Sequence, residues 1–301
     1  MPIAMTIVRL LPQRITTVVR QLPHPFVIIV SAVVAISILM FIMTQLGAPA
    51  TRLISYWQPQ PVMVKPDLPS KPTALAPPVI TGRVAPADLF DLRVDDGLYT
   101  NERAILIGEL QTTFAYVSSR FGSVTQRRFT VTFSDDDSCG LHGLALTDQR
   151  IVQVYTCSNI GRDRAIAIMA HEMVHQLEQD RYGLPHLNAD LILSEGMATW
   201  GAGKYWLGNQ PDFRTYVRSQ RQRGVAYPLA TDYAGLGITA MNALYYEWAS
   251  FVDYLITTYG REKFDHLYIT GHNRPGSADY IGTYGKGLDV LEHEWSAWID
   301  G

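Results

Sequence analysis

Five residues, His171-Glu172-Met173-Val174-His175, constrain this chain more than any other feature, because two imidazoles at this spacing meet one metal ion only from a helix. At 3.6 residues per turn, positions i and i+4 share a face, so both rings can offer a nitrogen to one ion at about 2.0–2.1 Å. Glu172 points roughly 100° round the helix from His171. That direction is poor for a third ligand and good for polarising a water beside the ion. The flanks agree with a helix over residues 164–180. Ile166, Met169, Ala170, Met173, Val174 and Leu177 follow the i, i+3, i+4, i+7, i+8, i+11 ladder, with Asp163 just ahead as the expected N-cap.

A third ligand must come from elsewhere. The metzincin pattern fails, since Glu178 and Arg181 stand where it needs Gly and His. Glu178 lies one turn beyond His175, but one straight helix cannot easily wrap three ligands round one ion, so it reads as solvated. Asp190 and His186 remain open as ligands; Glu195 is the stronger choice. It sits in Leu191-Ile192-Leu193-Ser194-Glu195-Gly196-Met197-Ala198-Thr199-Trp200, the start of a second helix that is apolar apart from the Ser-Glu pair. A carboxylate there is costly to bury unless it is paired or bound to metal. Gly196 and Ala198 let this helix approach the first closely.

Together these segments resemble the gluzincins, in which HExxH is followed some twenty residues later by a Glu in an E-G-x-A setting. Further on, Tyr245-Tyr246-Glu247-Trp248-Ala249-Ser250-Phe251-Val252-Asp253-Tyr254-Leu255, Tyr259-Gly260 and Glu294-Trp295-Ser296-Ala297-Trp298 look like the bacterial peptidase MA-like metallohydrolases. The likeness spans residues 163–299. It implies a zincin-like α+β domain, a small N-terminal mixed sheet followed by a helical part. It further implies one zinc held by His171, His175 and Glu195, Glu172 as general base, and Tyr245 as a hydrogen-bond donor to the oxyanion. An aromatic packed against Phe251 and Leu255 is the plain alternative for Tyr245.

The N-terminus suggests where such a domain works. Residues 26–46 contain no charge and are dominated by Val, Ile, Ala, Leu and Met. At 1.5 Å per residue that run just crosses a hydrocarbon core of about 30 Å. It is too long for the core of a cleaved signal peptide, so it reads as a transmembrane helix. Arg9, Arg14 and Arg20 precede it, and the positive-inside rule leaves residues 1–25 in the cytoplasm. Residues 47–86, with nine prolines after position 48, form a stiff tether, and residues 87–301 form the outer domain.

Charge divides at the same place. Residues 1–86 carry seven Lys+Arg against one Asp, whereas residues 87–301 carry 18 Lys+Arg against 27 Asp+Glu. An acidic outer domain argues against nucleic-acid binding. Its one basic run, Arg214, Arg218, Arg221 and Arg223, reads as a solvated helix face.

Within the domain, residues 100–121 read as a helix, and residues 128–134 and 150–156 as strands. By the resemblance, the second strand is a sheet edge along which a peptide substrate lies. The adjacent Asp135, Asp136 and Asp137 lack the Gly and distal Glu of a calcium loop and read as a solvated turn. Cys139 and Cys157, the only cysteines, follow the two strands and are expected to form a disulfide outside the cytoplasm. His142 reads as a loop residue.

The resulting expectation is a membrane-anchored zinc metallopeptidase acting on peptide or protein substrates outside the cytoplasm. The alternative is a silent, tethered binding module of the same fold.

Overall fold

The computed structural model describes residues 89–125 and 127–301 of the chain. The basic segment, the apolar run and the tether all lie outside these residues. Among the described residues no helix is long and apolar enough to cross a membrane.

The first half is a two-layer α+β arrangement. Strand β1 (Phe90–Val94) leads through helix α1 (Arg103–Phe121) to β2 (Phe129–Asp135); β3 (His142–Leu146) and β4 (Ile151–Thr156) follow. The sheet order is β1-β2-β4-β3, with β1, β2 and β4 parallel and β3 antiparallel to β4. Alternation in β2 and β4 turns Phe129, Val131, Phe133, Val152 and Val154 to one face, where all are buried. Register pairs Val131 with Val152 and Phe133 with Val154, so this face is continuous. In α1, Leu106, Leu110, Phe114, Val117 and Phe121 repeat at helical spacing and are buried. The helix stops at Gly122, whose φ of 83° is left-handed.

The second half is helical. Helix α2 (Arg162–Tyr182) packs on β3, β4 and α1, followed by a short 3-10 turn (Leu184–Asn188), α3 (Leu191–Ala202) and α4 (Lys204–Leu207). Then come α5 (Phe213–Gln222), α6 (Ile238–Tyr259), α7 (Arg261–Tyr268), α8 (Tyr280–Tyr284) and α9 (Leu288–Asp300). Helix α3 packs tightly on α6. A Cβ at Gly196 would lie 2.7 Å from the Trp248 carbonyl oxygen, so only glycine permits this approach. Asp190, fully buried, caps α3 by accepting from the Ile192 backbone N–H at 3.0 Å. The same carboxylate accepts from the N–H groups of Gly276 and Ala278 and from the Tyr280 hydroxyl at 2.9–3.1 Å.

Several expectations need correction. The strand at residues 151–156 lies inside the sheet, between β2 and β3; the edge on that side is β3, whose sequence His-Gly-Leu-Ala-Leu carries no β-branched residue to announce it. His142 opens that strand and stacks on Tyr155, with ring centroids 4.6 Å apart. The N-cap of α2 is Gly161, because the helix begins at Arg162 and takes Asp163 into its first turn. Three of the four arginines of the basic run pack against α9, while Arg223, just past the end of α5, is exposed as expected. Arg214 and Arg221 lie over Trp298 and Trp295 at 4.7 and 4.8 Å, and Arg218 donates to the Ile299 carbonyl.

Candidate metal centre

Helix α2 presents His171 and His175 on one face, and α3, held close to α2 by Gly201, presents Glu195 to them; Gly196, expected to serve this approach, packs on α6 instead. A Cβ at Gly201 would meet Val174 of α2 at 2.8 Å. The Nε2 atoms of the two histidines are 3.2 Å apart, and Glu195 Oε2 lies 3.2 Å from that of His171 and 3.7 Å from that of His175. Ligands about 2.05 Å from a tetrahedral ion are separated by about 3.4 Å. The three atoms therefore already lie near the spacing of one face of such a tetrahedron. The three atoms converge on one point, and an imidazole-imidazole-carboxylate set is one that zinc takes. The residues fit the ion.

His171 and Glu195 are nearly closed off from solvent. Burial would raise the Glu195 carboxyl, but hydrogen bonds with His171 and His175 hold it well below the usual range. Burial lowers His171. Glu172, also buried, lies against Gly143 of the edge strand β3. A Cβ at Gly143 would lie 2.1 Å from its Oε1, so β3 makes room for this carboxylate by having glycine there. Burial pushes Glu172 up to about 8, opposed by His175 and assisted by Glu195 and Glu178.

Tyr245 belongs to the same cluster. Its ring lies parallel to that of His171, 3° apart in plane with centroids at 5.7 Å, while Trp206 covers His171 at 4.9 Å. Burial, with the Glu195 carboxylate nearby, raises the Tyr245 phenol well above the usual range and holds it protonated. Tyr233, from the loop before α6, meets Tyr245 edge-on at 5.8 Å.

Other sequence assignments move. Asp190 is a cap and His186 a neighbour; neither reaches the three-atom cluster. His186 Nδ1 is 2.8 Å from the Tyr268 hydroxyl. Glu178, expected to be solvated, is fully buried against His175. Nothing in the local sequence foretold Trp206 or Gly143, since both reach the site through tertiary packing. Glu178 carried one signal, its i+3 position on the face of His175. Cys139 and Cys157 form the expected disulfide, joining the approach to β3 with the end of β4.

Fold and site together define an α+β protein with an HExxH helix, a distal glutamate and a metal-competent centre between them. No family model and no curated protein matches the chain. Among solved structures, it is similar to the M1 zinc metallopeptidase of Deinococcus radiodurans and to a point mutant of that enzyme. Each is 21% identical with a TM-score of 0.41, and the match covers 69% of this chain and 48% of the other. The chain thus spans about half the length of these structures.

Proposed function

We propose that this chain is a zinc-dependent peptidase tethered to a membrane by residues 26–46, with its domain on the extracytoplasmic side. The observation that carries the catalytic part is the convergence of His171, His175 and Glu195 at 3.2–3.7 Å, with Glu172 on the adjoining helix face. When bound, zinc supplies Lewis acidity, polarising a carbonyl and acidifying a water. Glu172 takes the proton of the attacking water and passes it to the leaving amine. Tyr245, a protonated phenol on the wall of the cluster, donates to the carbonyl oxygen as charge develops. On its outer side β3 pairs with no strand among the described residues, so it offers backbone groups to an extended peptide. Gly143, in that strand, brings the peptide alongside Glu172. The disulfide suits an oxidising compartment, in keeping with the charge asymmetry around residues 26–46.

The test is Glu172→Gln in the purified full chain, with metal content measured by elemental analysis and hydrolysis followed on a peptide library. Loss of hydrolysis with one zinc per chain retained supports the reading. Unchanged hydrolysis removes Glu172 from the chemistry, and a folded wild type that holds zinc but cleaves nothing favours the tethered binding module.

A further inference from the structure

Glu178 is a buried carboxylate with no Lys or Arg partner among the described residues. Its side chain is 0% exposed, and its ion pairs are with two histidines, His175 Nδ1 at 2.7 Å and His186 Nδ1 at 3.8 Å from Oε2. Tyr268, on α7, adjoins Glu178 and contacts His186 through its hydroxyl, while Oε1 of Glu178 has no hydrogen-bond partner. Sequestering a carboxylate this way is costly unless its charge is used.

The ligand-capable atoms of His175, Glu178 and His186 lie within 4.8 Å of one another, which raises a second metal site as an explanation. Proton accounting disfavours it. His175 turns Nε2 to the first centre, so its Nδ1 carries the proton that Glu178 accepts, and a metal there would have to displace that proton. His186 Nδ1 is already engaged by the Tyr268 hydroxyl.

We propose that Glu178 is the positioning residue of the metal centre, an inference that rests on the zinc reading above. By accepting Nδ1–H of His175, it fixes the tautomer that leaves a lone pair on Nε2, aims that lone pair at His171 and Glu195, and strengthens the imidazole as a donor. The two histidines are treated unequally. The Nδ1 of His171 meets only the Thr199 hydroxyl, at 3.4 Å, so the carboxylate support of the centre comes through His175. Tyr268 adjoins Glu178 and engages His186 at 2.8 Å, bringing α7 beside the site across some 90 residues of sequence.

The experiment is zinc affinity by competition with a chromogenic chelator, on full-chain wild type, Glu178→Gln, Glu178→Ala and Tyr268→Phe, with thermal unfolding of each metal-free protein. The expected result is a 10–100-fold weaker affinity for Glu178→Ala. Glu178→Gln, which keeps an acceptor oxygen, should recover part of that loss, and Tyr268→Phe should weaken affinity only a few-fold. Metal-free thermal midpoints should not fall in step, because removing an under-partnered buried charge relieves the apo protein. Wild-type affinity in both Glu178 variants overturns the proposal, as does an affinity loss that simply tracks the loss of apo stability. A wild type that binds no zinc overturns the metal reading and this inference together, and so is distinguishable from failure of Glu178 alone.

Discussion

Gly143→Ala adds one methyl group to the edge strand and tests whether Glu172 acts as the base. The new Cβ would lie 2.1 Å from Oε1, 2.5 Å from Cδ and 2.7 Å from Cγ of Glu172. Restoring ordinary contact, about 3.5–4 Å between carbons, displaces the carboxylate by roughly 1 Å. A misplacement of that size costs on the order of 10²-fold in rate, equivalent to about 2.7 kcal/mol of transition-state stabilisation. The backbone gives no competing reason for a defect. Gly143 is not among the positive-φ glycines, and alanine is the better strand residue by about 0.5–1 kcal/mol. His171, His175 and Glu195 are untouched, so zinc content should stay at the wild-type value. The assay is kcat on a peptide that the wild type hydrolyses, with metal analysis and circular dichroism on the same preparations. A kcat within threefold of wild type, or a loss of activity that merely follows loss of zinc, would refute the reasoning.

Three further outcomes are expected. Gly196→Ala should force α3 away from α6, where its Cβ would meet the Trp248 carbonyl, lowering stability by about 1–3 kcal/mol and loosening zinc through the adjacent Glu195; denaturant unfolding and chelator competition read both. Replacing Cys139 and Cys157 together by Ser should cost about 3 kcal/mol, given a separation of 18 residues, read from urea midpoints without reductant. Burial pushes the carboxyl of Glu247 up to about 8, against the hydrogen bond from Tyr227 N–H. Because this folded pKa exceeds the unfolded one, its contribution is fully present below about pH 4.5 and is lost as pH rises toward 8, at about 1.4 kcal/mol per unit. Glu247→Gln should therefore gain on wild type steadily between pH 5 and 8 in urea titrations, and parallel curves would disprove it.

The parts of the centre legible in the sequence were those set by one helix. His171, Glu172 and His175 occupy fixed angles once α2 forms, and the burial of Glu195 followed from its apolar neighbours. What could not be read depended on partners far along the chain. Whether Glu178 meets water or a histidine is decided by the Tyr268 side of α7. Whether the α5 arginines are solvated is decided by two tryptophans of α9. The identity of the edge strand was equally hidden, since a buried strand and an edge strand can share the alternation seen in residues 151–156, and β3 itself is too short and too poor in β-branched residues to stand out.

Asp190 ties the start of the helix bearing Glu195 to residues 276–280, near the far end of the chain. A translation product or proteolytic fragment ending before that point keeps every metal ligand yet lacks the clamp that orients one of them. The placing of Glu195 thereby depends on residues 276–280: a copy cut before them is expected to be metal-poor although it keeps every ligand.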